Sequence, residues 1–274
     1  MFEEIMEKVK ESTPLVHCIT NYVTVNDCAN AILAVKGSPI MADDEAEVED
    51  ITSICNALVI NIGTLNKRTI DAMIKAGKKA NMLGHPVILD PVGAGASQFR
   101  SEITFRLLKE IQFSVIRGNI SEIKTVYAGS GTTKGVDADI ADIVTYDNLD
   151  ETIAFTKLLS QQTGAVIAIT GAIDIISDKN KTYIIMNGCQ EMSGITGTGC
   201  MLSAITGAYV AANPDNVLDA TACAVAIMGY SGELAKERVM QEQSGNGSIH
   251  IYIIDFLSRM NQETLNGGIH IEVR

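Results

Sequence analysis

The sequence predicts an α/β protein, a three-layer α/β/α sandwich around a central, mostly parallel sheet. Two patterns carry this expectation. Short apolar runs recur along the chain, and most are followed by a longer segment with helical periodicity. The runs themselves, such as ALVINIG (57–63), PVILD (86–90) and AVIAITG (165–171), are continuously apolar rather than alternating. Continuous runs mark strands covered on both faces, and repeated strand–helix units imply right-handed crossovers that put helices on both sides of the sheet.

The elements follow in order. MFEEIMEKVKES at the start reads as an amphipathic, charged helix. LVHCI (15–19) is a strand, 27–35 a helix, PIM (39–41) extended and 45–56 helical. The strand 57–63 ends in Gly63, and the helix 66–83 leads to the strand 86–90. A helix over 101–111 precedes the strand FSVIRG (113–118), which runs into a helix over 121–127. After a helix over 150–162 come 165–171, AIDIISD (172–178) and TYIIMN (182–187), the last two an antiparallel hairpin at a sheet edge. The rest is helical over 198–212, 216–236 and 248–261, with IHIEV left as a short strand or a tail. No Pro/Gly/Ser linker, low-complexity tract or internal repeat interrupts 1–274, so a single domain is expected.

Composition narrows the function classes. At 46% hydrophobic and 20% charged, the chain can bury a core and is not disordered. With no Trp and 5% aromatics, that core is aliphatic. A net charge of -12 with no basic patch argues against a nucleic-acid partner. An acidic protein that takes an anionic ligand must attract it locally, through helix N-termini, a few basic residues or Mg²⁺. The six cysteines form no CxxC and the four histidines no HxxxH, which excludes the usual zinc spacing. Widely spaced thiols point to a reduced, cytoplasmic setting. No signal peptide and no apolar run of membrane length is apparent, so no membrane partner is expected.

The glycine loops are mostly decoys. GSGTTKG (129–135) lacks the GxxxxGK[ST] spacing, and GAGASQ, GSGTTK, GTGCML and GNGSIH lack the third glycine of GxGxxG. A Walker ATPase and a dinucleotide-binding site are thereby excluded. ITGTGCMLSAITGAYVA (195–211) is different, because a Gly-Thr-Gly turn runs straight into a small-residue helix. Gly197 and Gly199 allow a sharp bend and close approach of a ligand. The N–H groups of Thr198, Gly199 and Cys200 would then face outward at the positive end of the helix dipole. That makes 197–200 a candidate anion hole for a transferring phosphoryl group. An ordinary helix start packed through small residues is the competing reading.

Three further segments end strands on the same sheet edge. DPVGAGAS (90–97) places Asp90 at a strand's carboxyl end, where ligand crevices of α/β sheets form. RGNISEI (117–123) adds Arg117, Asn119 and Glu122, although Asn119 and Glu122 also fit a plain helix cap. AITG (168–171) adds Thr170 and Gly171. An aspartate, a glutamate, an arginine, a threonine and an anion hole together are what a Mg²⁺–ATP site requires.

TNYVT, SPIMA, DPVGAGAS, IRGNISEI, KGVD, ITG and TGTGCMLSA, in this order over residues 20 to 205, resemble the hydroxyethylthiazole kinase family. The resemblance implies a ribokinase-like fold and a homotrimer with active sites at subunit interfaces. It also implies ATP- and Mg²⁺-dependent phosphorylation of 4-methyl-5-(2-hydroxyethyl)thiazole in thiamine salvage. By position, Arg117 and Thr170 match ATP contacts, and Asn119 and Gly171 are counted with them from the same edge. Asp90 and Glu122 match the carboxylates that organise Mg²⁺, partly through water. Met41 and Gly197 match thiazole-contacting positions, and Asn21 and Val23 lie in the segment lining that pocket. Cys200 matches the position beside the acceptor hydroxyl, where related sugar kinases carry an aspartate base. Two features depart from the pattern: Gly194 stands where a basic residue often precedes the loop, and the GNGSI segment is atypical.

A cysteine there makes chemical sense only in part. A thiol of pKa roughly 8.5 yields a poor base for an alcohol. Phosphoryl transfer passes through a loose transition state, so Cys200 need only orient the hydroxyl or accept its proton late. Elsewhere the readings are bland. His17 is a core histidine, Cys18, Cys28, Cys55 and Cys223 are core, and Cys189 is a loop thiol. Lys134 is either a solvated loop charge or a phosphate partner. The competing functions are another vitamin kinase of the same fold (for hydroxymethylpyrimidine or pyridoxal), a dehydratase-type repair enzyme for a hydrated nicotinamide cofactor, and a non-catalytic thiazole-binding protein.

Overall fold

The computed structural model describes residues 2–129 and 143–274; the KGVD motif and Lys134 lie outside the described residues. The chain runs α1 (Glu3–Ser12), β1 (Leu15–Ile19), α2 (Val25–Ala34), β2 (Ser38–Ile40), α3 (Val48–Ile54), β3 (Ala57–Asn61), α4 (Lys67–Leu83) and β4 (Val87–Asp90). It continues through α5 (Gln98–Glu110), β5 (Val115–Gly118), α6 (Ile120–Gly129), α7 (Leu149–Thr163), β6 (Val166–Ile169), β7 (Asp174–Ser177) and β8 (Thr182–Ile185). It closes with α8 (Thr198–Ala212), α9 (Val217–Glu242), α10 (Asn246–Arg259), α11 (Gln262–Gly268) and β9 (Ile271–Val273).

Among the described residues the strands form one nine-stranded sheet in the order β2-β1-β3-β4-β5-β6-β7-β8-β9. From β2 to β6 all neighbours are parallel, and from β6 onward they are antiparallel. Every residue of β3, β4 and β6 is buried, as continuous apolar runs require. One face carries α1, α2, α8, α9 and α10, and the other carries α4, α5, α6 and α7, each face with its own apolar cluster.

Parallel pairing aligns the carboxyl ends of the strands. Asn61 sits opposite Asp90, and Gly118 opposite Ile169. The groups that follow these strands therefore share one edge, which is the edge α8 reaches. Residues 201–210 of α8 are all buried, so this helix has no solvent face and lies inside the layer. Gly207 permits that: a Cβ there would meet Val59 Cγ2 at 2.6 Å and Val16 Cγ1 at 3.1 Å.

The structure extends the sequence reading in three places. The hairpin of β7 and β8 is antiparallel as expected, yet it is not the sheet edge, because β9 pairs outside β8. The helix expected over 216–236 runs on to Glu242, where Gln243 terminates it at φ 53. Its apolar pattern gives way to charged residues there, but nothing in the sequence breaks the helix. Helix α11, unanticipated, starts where Asn261 accepts a hydrogen bond from the Thr264 N–H.

Candidate active site

Gly197 adopts φ 96, a left-handed conformation, and begins α8. A Cβ at Gly197 would also lie 3.0 Å from Thr24 Cγ2. The first intrahelical bond is donated by Met201 N–H to the Gly197 carbonyl at 2.8 Å. The amides of Thr198, Gly199 and Cys200 thus have no intrahelical acceptor and, among the described residues, no capping side chain. The helix start expected after the Gly-Thr-Gly turn is formed.

Cys200 is half-buried, and its Sγ accepts from Asn21 Nδ2 at 3.2 Å and Asn61 Nδ2 at 3.3 Å. Asn21 is itself fixed, because its Oδ1 accepts from both the amide and the hydroxyl of Thr24 at 3.2 Å. Asn61 also donates to Asp90 Oδ2 at 2.9 Å, and accepts from Asn21 Nδ2 at 3.1 Å. A hydrogen-bonded chain therefore links the sulfur to the carboxylate through one amide.

Asp90 is fully buried. Its Oδ2 also accepts from Ser203 Oγ at 2.8 Å and faces Arg117 Nη1 at 3.6 Å. Burial pushes its carboxyl up to about 6, against the opposing pull of Arg117, Ser203 and Asn61. Asp90 Oδ1 and Arg117 Nε are buried without a hydrogen-bond partner among the described residues. Native proteins rarely leave such atoms unmatched, so a water, an ion or a ligand is expected to complete the set.

Arg117 reaches across the edge. Its Nη2 donates to Thr170 Oγ1 at 2.7 Å, and a Cβ on Gly199 would fall 2.6 Å from its Nη1. The guanidinium lies directly against the glycine of the turn. A cleft of about 630 Å³ opens here, lined by Arg117, Thr170, Gly171, Thr198 and Gly199 at one end and by Leu202, Val225 and Met228 among others.

Glu122 and Asn119 form the reciprocal cap: Asn119 N–H donates to Glu122 Oε2 at 2.8 Å and Glu122 N–H to Asn119 Oδ1 at 2.9 Å. Glu122 Oε1 also accepts from Gly93 N–H at 2.8 Å, so its carboxylate pins the 90–97 loop to α6. Asn119 is exposed and does not line the cleft, its side-chain oxygen being engaged in the cap. Val23 is 56% exposed, beside Tyr22 at 77%. Met41 is half-buried just after β2 and packs against the same apolar cluster as Cys200. His17 is satisfied in the core by Thr52 Oγ1 at 2.9 Å and the Ala42 carbonyl at 2.8 Å. Its burial holds the imidazole below its usual pKa.

Three residues of this constellation, Asn61, Ser203 and Asp174, are not among those the sequence singles out. Asn61 ends β3 as Asp90 ends β4, so the edge rule that selects Asp90 selects it too. Ser203 is one turn of α8 beyond Gly199. Asp174 lines the cleft and accepts from Gly171 N–H at 2.9 Å; burial pushes its carboxyl up to about 7.

The model of the hydroxyethylthiazole kinase family matches residues 6–263. The chain belongs to this family. It is 57% identical over 272 residues to a hydroxyethylthiazole kinase of Clostridium acetobutylicum, covering 99% of each chain. The hydroxyethylthiazole kinase structure from Pyrococcus horikoshii superposes with a TM-score of 0.88 at 35% identity, over 99% of this chain and 98% of that one. A ribokinase-like superfamily protein of Enterococcus faecalis shares the fold at TM-score 0.64 and 12% identity, over 94% and 95% of the two chains. The ribokinase-like architecture expected of a hydroxyethylthiazole kinase family member is the one observed. No helix among the described residues is long and apolar enough to cross a membrane.

Proposed function

We propose that the chain performs the reaction of its family, transfer of the γ-phosphoryl group of ATP to the hydroxyl of 4-methyl-5-(2-hydroxyethyl)thiazole, as a step of thiamine salvage. The observation that carries this reading is the bare 198–200 amide turn, set between the Arg117 guanidinium and the Asn21–Cys200–Asn61 cluster.

The nucleotide occupies the cleft. Its phosphates lie toward Arg117, Thr170, Gly171 and the amides of Thr198 and Gly199, and its base toward Leu202, Val225 and Met228. Helix-start amides and a guanidinium suit a migrating phosphoryl charge, and they are fixed before reaction. The acceptor hydroxyl sits beside Cys200, with Asn21, Met41 and Gly197 around the thiazole ring. Two amide donors hold the sulfur in place, so the thiol orients the hydroxyl and takes its proton late in a loose transition state. Positioning and charge neutralisation do most of the catalysis.

Among the described residues no group of three or more His, Cys, Asp or Glu could hold a metal ion. Mg²⁺ needs no such group, because it binds through one or two carboxylates together with substrate phosphates and water. Asp90, with its unpartnered Oδ1, and Glu122 would hold the ion, whose contribution is to neutralise charge on the phosphates. Asn119 supports Glu122 through the cap.

The remaining features belong to the same proposal. The continuous sheet supports one domain over 1–274. Exposed Tyr22 and Val23, adjacent to Asn21, support a homotrimer that covers them and completes the site from a second subunit. The free, mostly buried thiols support a cytoplasmic setting.

A coupled ADP-release assay with the hydroxyethylthiazole tests this. ADP formation that requires both the thiazole and Mg²⁺ is expected. Release that ignores the thiazole, or that prefers hydroxymethylpyrimidine or pyridoxal, would overturn it.

A further inference from the structure

One wall of the cleft is the segment after β8, and it is held by a cluster that the reaction itself does not use. Asn187, 5% exposed, donates through Nδ2 to the Gly268 carbonyl at 2.8 Å and to Glu233 Oε1 at 3.2 Å. Its Oδ1 accepts from His270 N–H at 2.7 Å. Glu233 Oε1 also accepts from Gly188 N–H at 2.8 Å, and Gly188 sits at φ 126, a region closed to most side chains. The helix below is notched to fit. A Cβ on Gly229 would strike the Asn187 carbonyl oxygen at 2.7 Å, and one on Gly232 would strike Met192 Sδ at 2.2 Å. Gly232 and Glu233 lie one turn of α9 beyond Gly229, on the same side of the helix.

We propose that Glu233 and Asn187 are positioning residues that set the 187–192 wall of the nucleotide cleft, and so tune the affinity for ATP without touching the reacting atoms. The inference rests on reading that cleft as the nucleotide site. Gly188 and the residues after it line the cleft, and the carboxylate staples the backbone at the single residue where the wall turns. A charged acceptor makes the stronger class of hydrogen bond to an amide. Asn187 then ties the same turn to the segment leading into β9, so the wall is anchored from two directions. Neither residue hydrogen-bonds to the Cys200 end of the site. Their loss is therefore felt by the nucleotide and not by the thiazole.

The test compares steady-state constants of Glu233→Ala, Glu233→Gln and Gly232→Ala with the parent, with thermal melts as the check on folding. Glu233→Ala is expected to raise KM for ATP about tenfold while kcat and KM for the thiazole stay within about twofold. Glu233→Gln keeps a neutral acceptor for Gly188 N–H and is expected to recover most of the loss. Gly232→Ala leaves the staple intact but displaces Met192, and is expected to shift KM for ATP alone. It serves also if the Ala variant at 233 does not fold. An unchanged KM for ATP in folded variants, or equal losses toward both substrates, overturns the inference. Thr170→Val separates the two levels: if it leaves KM for ATP unchanged, the cleft is not the nucleotide site. If it raises that KM while the 233 variants do not, only the positioning role falls.

Discussion

Arg117 and Gly199 share a boundary with no room for a side chain: a Cβ at 199 would lie 2.6 Å from Nη1 and 2.9 Å from Nη2. The guanidinium can hold Thr170 Oγ1 and face Asp90 only because residue 199 ends at its Cα. Gly199→Ala should therefore displace the arginine while leaving helix propensity improved. A fall of about 10²-fold in kcat/KM for ATP is expected from such a misplacement, with little change in melting temperature. Full activity in this variant would show that Arg117 does not need its present position.

Cys200 holds its place through two amides, and its role can be separated from its size. Cys200→Ala should lower turnover by at least about tenfold, because neither a proton acceptor nor an orienting sulfur remains. Cys200→Asp offers an acceptor to both Asn21 and Asn61 and should turn over faster than the alanine variant. An alanine variant with the parent's kcat would remove any chemical role from the thiol.

Asn61 is the joint between the two halves of the site. Asn61→Ala strips a partner from both Cys200 and the buried Asp90 carboxylate. A stability loss of about 1–3 kcal/mol in urea unfolding is expected, together with lower kcat. A variant that loses stability alone, with kcat intact, would make Asn61 a structural residue only.

Asp174 gives a pH-dependent prediction with a definite sign. Its carboxyl is raised from 3.8 to about 7 in the folded chain, chiefly by burial. The native state thus prefers the protonated acid; its stabilising contribution is complete below the unfolded value and is lost as pH rises through the folded one. Asp174→Asn keeps an acceptor for Gly171 N–H without the charge. The variant should gain roughly 2–4 kcal/mol over the parent at pH 8, and much of that gain should vanish by pH 5. A difference that does not change with pH would rule out a buried ionisation at this position.

The frame of this protein was legible where local chemistry dictates it. Helix α8 begins at Thr198 as the Gly-Thr-Gly bend requires, and β3, β4 and β6 are buried throughout, as continuous apolar runs demand. Asp90 and Arg117 stand at the ends of β4 and β5, where the edge rule looks for ligand-facing groups. Asn61 satisfies the same rule, but ALVINIG reads as a strand running to Gly63 while the pairing stops at Asn61. The 119–122 spacing fitted a cap and a ligand-bearing edge alike, and the cap is what the hydrogen bonds record. The pairing of Asn187 with Glu233 spans 46 residues, and no periodicity announces a contact at that range.

Gly207 is the gap that lets α8 sink against Val59 and Val16 at the middle of the sheet. The bend proposed to meet the phosphates is the free end of that same buried rod. Its placement is set by the most tightly filled part of the molecule, rather than by an adjustable surface loop. On heating, this end of the active site has no separate way to loosen, so catalytic competence should persist until the whole sheet gives way.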